Sequence, residues 1–192
     1  REHLAEIAVA ARAWAALNPR AMRRTPLTLE EVLAAPMVCD PLSALDCCLI
    51  ADAGAAVVLT RAERARDCPK PPVYLLGVGV HTSHAGIAQM PDLTRTAATE
   101  SGRRAFAMAG VGPADVDVVE LYDAFTINTL LFLEDLGFCA KGEGGHFVSG
   151  GAIAPGGRLP VNTNGGGLSC VHPGMYGLML IAECVEQLRG EA

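Results

Sequence analysis

The chain has 192 residues, 51% apolar, 19% charged and 5% aromatic, with 21 Gly, 12 Pro and 7 Cys. That length suffices for a hydrophobic core, and the apolar fraction excludes a disordered chain. A net charge of −6 argues against nucleic acid as the main partner, because phosphate binding needs a basic face.

Leu4, Ile7, Ala8, Ala11, Trp14 and Ala15 recur at the spacing of one helix face, and Asn18-Pro19 ends that helix. A basic loop from Pro19 to Pro26 follows, in which Arg23 and Arg24 form too short a run to make a patch. Thr28-Leu29-Glu30-Glu31 fits a capping box and starts a short second helix. The apolar run Ala55 to Leu59, after Gly54, reads as a buried strand, and Thr60 to Ala65 as a helical turn. Val73 to Val80, opened by Pro71-Pro72, is the clearest strand. Asp92 reads as the cap of a helix running to about Met108. Val116 to Leu121 is a further strand, and Phe125 to Leu136 a helix with Ile127, Leu130 and Leu131 on one side. From Gly137 to Gly177 the chain is dense in glycine, with one short strand at Leu159-Pro160-Val161. The last helix carries Leu178, Ile181, Ala182, Val185 and Leu188 on one face and ends at Gly190. Strands alternating with helices imply a layered α/β fold.

The odd cysteine count, with Cys47 and Cys48 adjacent and no CxxC, implies reduced thiols and a cytoplasmic protein. The most apolar stretch, Leu45 to Leu59, holds Asp46 and Asp52 and is too short to span a membrane. The N-terminus has no initiator Met and no signal-peptide pattern, so a piece of a longer chain is expected.

Four features invite a chemical reading. In Glu120-Leu121-Tyr122-Asp123-Ala124-Phe125 a strand meets a helix, where α/β sheets place ligands. Tyr122 there can donate a proton or hydrogen bond, and Asp123 can cap the helix or hold a neighbouring backbone. An amphipathic Tyr at the core edge beside an N-cap fits the same residues. In Gly165-Gly166-Gly167-Leu168-Ser169-Cys170-Val171-His172-Pro173-Gly174 the glycines let the backbone approach a ligand. Pro173 stiffens His172, as an oxyanion donor or general acid/base requires. The alternative is a His satisfying a turn. Glu143 and His146, in Gly142-Glu143-Gly144-Gly145-His146-Phe147, lack the spacing of a dinucleotide site and read as surface loop. Among the thiols, Cys170 and His172 form a conceivable nucleophile pair, but neighbours two apart diverge. Cys47, Cys48 and Cys184 read as core fillers, and His81 with His84 lacks a third metal ligand.

Taken together, three segments resemble the thiolase superfamily. They are Val119 to Phe125, Asn162-Thr163-Asn164-Gly165-Gly166-Gly167-Leu168-Ser169-Cys170-Val171-His172-Pro173, and Glu186 to Ala192. Ala16-Leu17-Asn18-Pro19 and Asp52 to Leu59 also fit, most closely the sterol-carrier-protein-type thiolases and their bacterial lipid-transfer-protein-like relatives. The resemblance implies a layered α/β/α fold, a mixed five-stranded sheet covered by helices, incomplete at both ends. Residues 1–70 would then close an N-terminal half, and 71–192 would form the C-terminal domain without its last strands. It implies an acyl-CoA enzyme whose oxyanion hole takes one donor from a strand end and one from a His-Pro motif. Tyr122 occupies the first position and His172 the second, with Asp123, Asn162, Gly166, Gly167 and Tyr176 supporting them. Coenzyme A thioester is implied as substrate, with no covalent cofactor and no metal.

Three departures from the family pattern stand out. Tyr122 replaces the usual His or Asn. Val171 replaces the Gly before the His, and the loop after His172 is one residue shorter. No Cys matches either catalytic Cys by motif. The Tyr resembles thiolase-like enzymes that run retro-aldol cleavage of β-hydroxyacyl-CoA thioesters beside a small OB-fold partner. The resemblance thus implies acyl transfer in lipid or steroid side-chain degradation, or such a lyase, or a catalytically silent lipid-binding or scaffolding subunit. It also implies a homodimer.

Overall fold

The structure, a computed structural model, describes all residues from Arg1 to Ala192. Helix α1, Glu2–Leu17, is the hub of the fold. Its buried face is mostly alanine (Ala5, Ala8, Ala10, Ala11, Ala15), with Leu4 and Ile7. Small side chains let neighbours come close, and a Cβ on Gly165 would lie only 2.5 Å from that of Ala15. Helix α2, Leu29–Ala34, starts on the expected capping box: Thr28 Oγ1 accepts from Glu31 N, and Glu31 Oε2 accepts from Thr28 N. A small antiparallel pair follows, β1 Met37–Cys39 and β2 Leu42–Ser43. Helix α3 is a single turn, Ala62–Ala65.

Helix α4 spans Ala98–Ala109 and ends at Gly110, whose φ of 71° is the left-handed cap glycine allows. Asp92 does not cap it. It lies six residues upstream and closes a turn, accepting from Thr94 N and Oγ1. The entry to α4 is set instead by Thr96, tied through N and Oγ1 to Asp135 Oδ2 at 2.7 Å. Helix α5, Thr126–Asp135, forms where expected, but its fully buried row is Thr126, Thr129 and Leu133 rather than Ile127, Leu130 and Leu131. The glycine-rich region holds a short helix, α6, Gly144–Val148, and a π-helical turn, Gly166–Cys170. Helix α7, Gly177–Arg189, ends at left-handed Gly190 as expected. Its buried positions are Leu180 and Glu183, while Ile181 and Leu188 of the expected apolar face are exposed. No helix is long and apolar enough to cross a membrane.

The five-stranded sheet does not form. Val116 to Leu121 and Leu159 to Val161 meet in one parallel bridge, Val119 with Val161. Asn162 then turns left-handed, with φ 52°, which Asn tolerates better than most residues. Its N–H still donates to Val119 O at 2.9 Å, and its side chain supplies the next rung, Oδ1 accepting from Leu121 N at 2.7 Å. Val73 to Val80 runs extended along α4. Gly77 and Gly79 sit against the carbonyls of Ala105 and Ser101, where a Cβ would come within 2.2 and 1.9 Å. No backbone group of this segment has a backbone partner, and Leu75, Leu76 and Val80 are exposed. Ala55 to Leu59 is likewise unpaired, with Val58 95% exposed rather than buried. A strand is defined by its neighbours, and these segments have none. The main core gathers Ile7, Val119, Leu121, Leu133, Ile153 and Val161 beneath the bridge.

Candidate active site

The parallel bridge and the π-helical turn end on the same spot, and Tyr122 and His172 meet there. Their rings lie 5.3 Å apart between centroids, edge to face at 84°. Tyr176 stacks on the His172 ring at 6.0 Å and also lies edge-on to Tyr122 at 6.5 Å, so the three rings form one cluster. Tyr122 is half-buried, and its hydroxyl donates to the Gly174 carbonyl at 2.9 Å. Gly174, at φ 79°, makes the turn that brings that carbonyl round. His172 is 8% exposed, and its Nε2 is buried without a hydrogen-bond partner. A buried imidazole nitrogen left unpaired costs free energy, which marks this atom as a candidate contact for a ligand.

The support is a set of buried polar contacts. Asp123 is fully buried and accepts from Gly167 N at 2.6 Å and from Leu168 N at 3.3 Å, with the Asn162 side chain as a further partner. It therefore holds a neighbouring backbone and does not cap α5. Burial pushes its carboxyl up to about 7 despite these donors. Gly167 is pinned between two groups: a Cβ there would lie 2.7 Å from His172 Cδ2 and 3.0 Å from Asp123 Oδ1. Gly166, at φ 64°, would place its Cβ 2.0 Å from Asp123 Oδ2. Asn164 Oδ1 accepts from Gly166 N and from the Tyr176 hydroxyl, both at 2.8 Å. Tyr176 is wholly buried and its phenol is pushed far up by desolvation, which keeps it a neutral donor.

All seven residues read from the sequence thus converge. Sequence reasoning missed Asn164, although it stands inside the Asn-x-Asn-Gly-Gly-Gly motif. It also missed the flanking strand-like segment: Cys48 N bonds Ala124 O and Leu49 N bonds Gly167 O, both at 2.9 Å. Cys47 and Cys48 are therefore half-buried beside the site rather than core fillers. Cys170 is buried, its thiol pushed up to about 11 by desolvation, and Asn18 Nδ2 approaches its Sγ at 3.7 Å. A thiol held protonated is no nucleophile. Glu143 and His146 stand apart, with His146 beside His3 at the start of α1.

In front of Tyr122 opens a mainly apolar cleft of about 640 Å³, lined by Ala53 to Ala55, Pro173, Met175 and Gly177 to Met179. The cleft's scale suits a small-molecule acyl group. The chemistry on offer is a phenol at the mouth and an unpaired imidazole nitrogen behind it, both held by packing.

Residues 79–192 match the family described as "Thiolase C-terminal domain-like". The chain is 43% identical to an acetyl-CoA acetyltransferase of Methanothermobacter thermautotrophicus, over 100% of this chain and 51% of that protein. It is 41% identical to the 17-hydroxy-3-oxo-4-pregnene-20-carboxyl-CoA lyase of Mycobacterium tuberculosis, over 96% of this chain and 49% of that protein. Among solved structures it superposes on the Ltp2-ChsH2(DUF35) aldolase with a TM-score of 0.92 at 37% identity, covering 99% of this chain and 51% of that one. The chain spans about half the length of the curated relatives it matches.

Proposed function

The chain belongs to the thiolase C-terminal domain-like family, and on that premise we propose that it carries the oxyanion-stabilising part of an enzyme acting on CoA thioesters. The enzyme makes or breaks the C–C bond next to the thioester carbonyl, in lipid or steroid side-chain degradation. The observation that carries this is Tyr122 at the mouth of an apolar cleft with His172 packed against its ring, the His172 Nε2 buried and unpaired. A hydrogen-bond donor aimed at a thioester oxygen stabilises the enolate that forms when the adjacent bond breaks.

Retro-aldol cleavage is the direction Tyr122 favours. A base takes the proton of the β-hydroxyl, the Cα–Cβ bond breaks, and Cβ leaves as a carbonyl. The bond's electron pair passes to the thioester enolate, whose oxygen sits against His172, and protonation at Cα returns an acyl-CoA. The phenol at the mouth is placed for the hydroxyl end of that exchange, and no cysteine is needed. The superposition on the Ltp2-ChsH2(DUF35) aldolase supports this direction and a partner protein, for which the sequence resemblance implies a small OB fold. Thiolytic acyl transfer is the second reading, supported by the 43% identity to an acetyltransferase. It requires a nucleophilic thiol, and Cys170 does not supply one.

The test is turnover by the full-length protein of a β-hydroxyacyl-CoA, and separately of a 3-ketoacyl-CoA with CoA. Carbonyl product from the first establishes the lyase, and acyl-CoA products from the second establish thiolysis. Tyr122→Phe and His172→Ala are each expected to lower kcat by about 10²–10³. Full activity in both variants would refute the site, and turnover of neither substrate would leave a silent subunit.

A further inference from the structure

Behind Tyr122, off the wall of the cleft, a second polar cluster joins the strand end to α7. Thr163 Oγ1 lies 2.9 Å from Glu120 Oε1, 2.6 Å from Glu183 Oε1 and 2.8 Å from Gln187 Nε2. Thr163 and Glu183 are buried, and Glu120 Oε2 is buried with no partner. The hydrogen-bond count is restrictive. A hydroxyl has one proton and two lone pairs, and an amide nitrogen only donates. Gln187 fills one lone pair, and the single hydroxyl proton serves one carboxyl. Thr163 N also donates to Glu120 Oε1 at 2.9 Å and Gln187 Nε2 to Glu183 Oε1 at 3.0 Å. The hydroxyl oxygen still faces two carboxyl oxygens with one proton, so the other short O···O contact needs a proton from its own carboxyl.

We propose that Glu120 and Glu183 hold one proton between them through Thr163, and that this singly protonated link positions the strand end bearing Tyr122 against α7. Glu120 stands two residues before Tyr122 on the same face of extended chain. The first turn of α7 lines the cleft, so the link sets the distance between the phenol and the cleft wall. Only this positioning role rests on the proposed reaction. The shared proton does not.

Other charges around the pair agree. Asp123 faces it from the strand end, Cys170 from the π-helical turn, and Cys184 and Tyr176 from α7 and its entrance. Arg20, from the loop after α1, faces Glu183 but is engaged with Glu186. Burial pushes the Glu120 carboxyl from its ordinary 4.5 up to about 8, and the Glu183 and Asp123 charges push the same way. A native state that holds a proton the unfolded chain releases is fully stabilised below about pH 4.5. That stabilisation is lost as pH rises to about 8.

The experiment measures unfolding free energy against pH by urea titration, for the chain and for Glu183→Gln. The amide donates to Thr163 permanently, so the variant should fold and its stability should depend on pH by one proton less. That is a tenfold smaller change in the unfolding constant per pH unit between about pH 4.5 and 8. An unchanged slope would mean that both carboxyls are ionised in the native protein, and would overturn the proposal. Infrared spectra of protein labelled with 13C-glutamate decide the point without a variant. A protonated glutamate carbonyl band at neutral pH, titrating near pH 8, is expected, and its absence overturns the shared proton. For the positioning role, kcat on the active acyl-CoA substrate should fall above about pH 8 in the parent and less in Glu183→Gln. A shared proton with an unmoved kcat profile would overturn the positioning alone.

Discussion

At Gly167 the backbone touches two functional groups at once, its amide bonded to Asp123 and its α-carbon against the His172 ring. A methyl there has nowhere to go. Gly167→Ala should cost about 1–3 kcal/mol by overpacking and, by displacing the imidazole, lower kcat by about 10²-fold. Gly86→Ala, with open space around it, should change neither, and urea unfolding with a turnover assay checks both. The thiols sort by environment in the same way. Cys39 and Cys68 are exposed, whereas burial holds Cys170 protonated. Iodoacetamide under native conditions is expected to alkylate the first two well before Cys170, as peptide mass mapping would show. Tyr122 and His172 were legible in the sequence because strand-end and His-Pro motifs are local. Glu183 was not, because a lone acid in an amphipathic helix reads as solvent-facing until Thr163 is seen against it.

Among the elements, the longer helices declared themselves, while the short helix α6 and the strands did not. The α1 face, the α2 capping box and the glycine end of α7 depend on residues within a turn of one another. A strand depends on a ladder neighbour, which apolar alternation in Val73 to Val80 does not supply. Asn162 shows the same limit at closer range. Its left-handed φ and its bond to Leu121 N replace a ladder rung that no periodicity would reveal. Asn162→Ala leaves Leu121 N unpaired beside the core and puts alanine where φ is positive. A loss of about 1–3 kcal/mol is expected in urea unfolding, with lower kcat because Tyr122 is the next residue along. Gly79→Val should lift its segment from α4, since its Cβ would meet the Ser101 carbonyl at 1.9 Å. Faster proteolysis between residues 70 and 85 is the expected readout.

The molecule as a whole has an order of preference between its two ends. Residues around the bridge and the π-helical turn are buried and hydrogen-bonded, while 50–59 and 71–80 expose Ile50, Val58, Leu59, Leu75, Leu76 and Val80 together with unpaired backbone. Open apolar strand edges recruit further chains. The chain on its own should therefore self-associate, with light-scattering mass rising with concentration, and Leu76→Lys with Val78→Lys should reduce it. Acid–base balance is also a whole-molecule property. Asp123 and Glu120 both have raised carboxyl values, so the native state takes up protons that the unfolded chain has released. Stability should fall as pH rises from about 4.5 to 8, by up to about 1.4 kcal/mol per pH unit for each proton. The Arg20–Glu186 pair acts with opposite sign, only toward acid, and is exposed enough to matter little.

The short bond from Gly167 N to the buried Asp123 carboxylate gives the site a voice of its own. An amide proton drawn toward a carboxylate is deshielded, so its nuclear resonance should stand well downfield of the other glycines. It should move upfield as Asp123 takes up a proton near pH 7. Because the same glycine presses on His172, anything entering the cleft and tilting that ring would shift the same peak. One backbone resonance could then report titration and occupancy together, with no added probe.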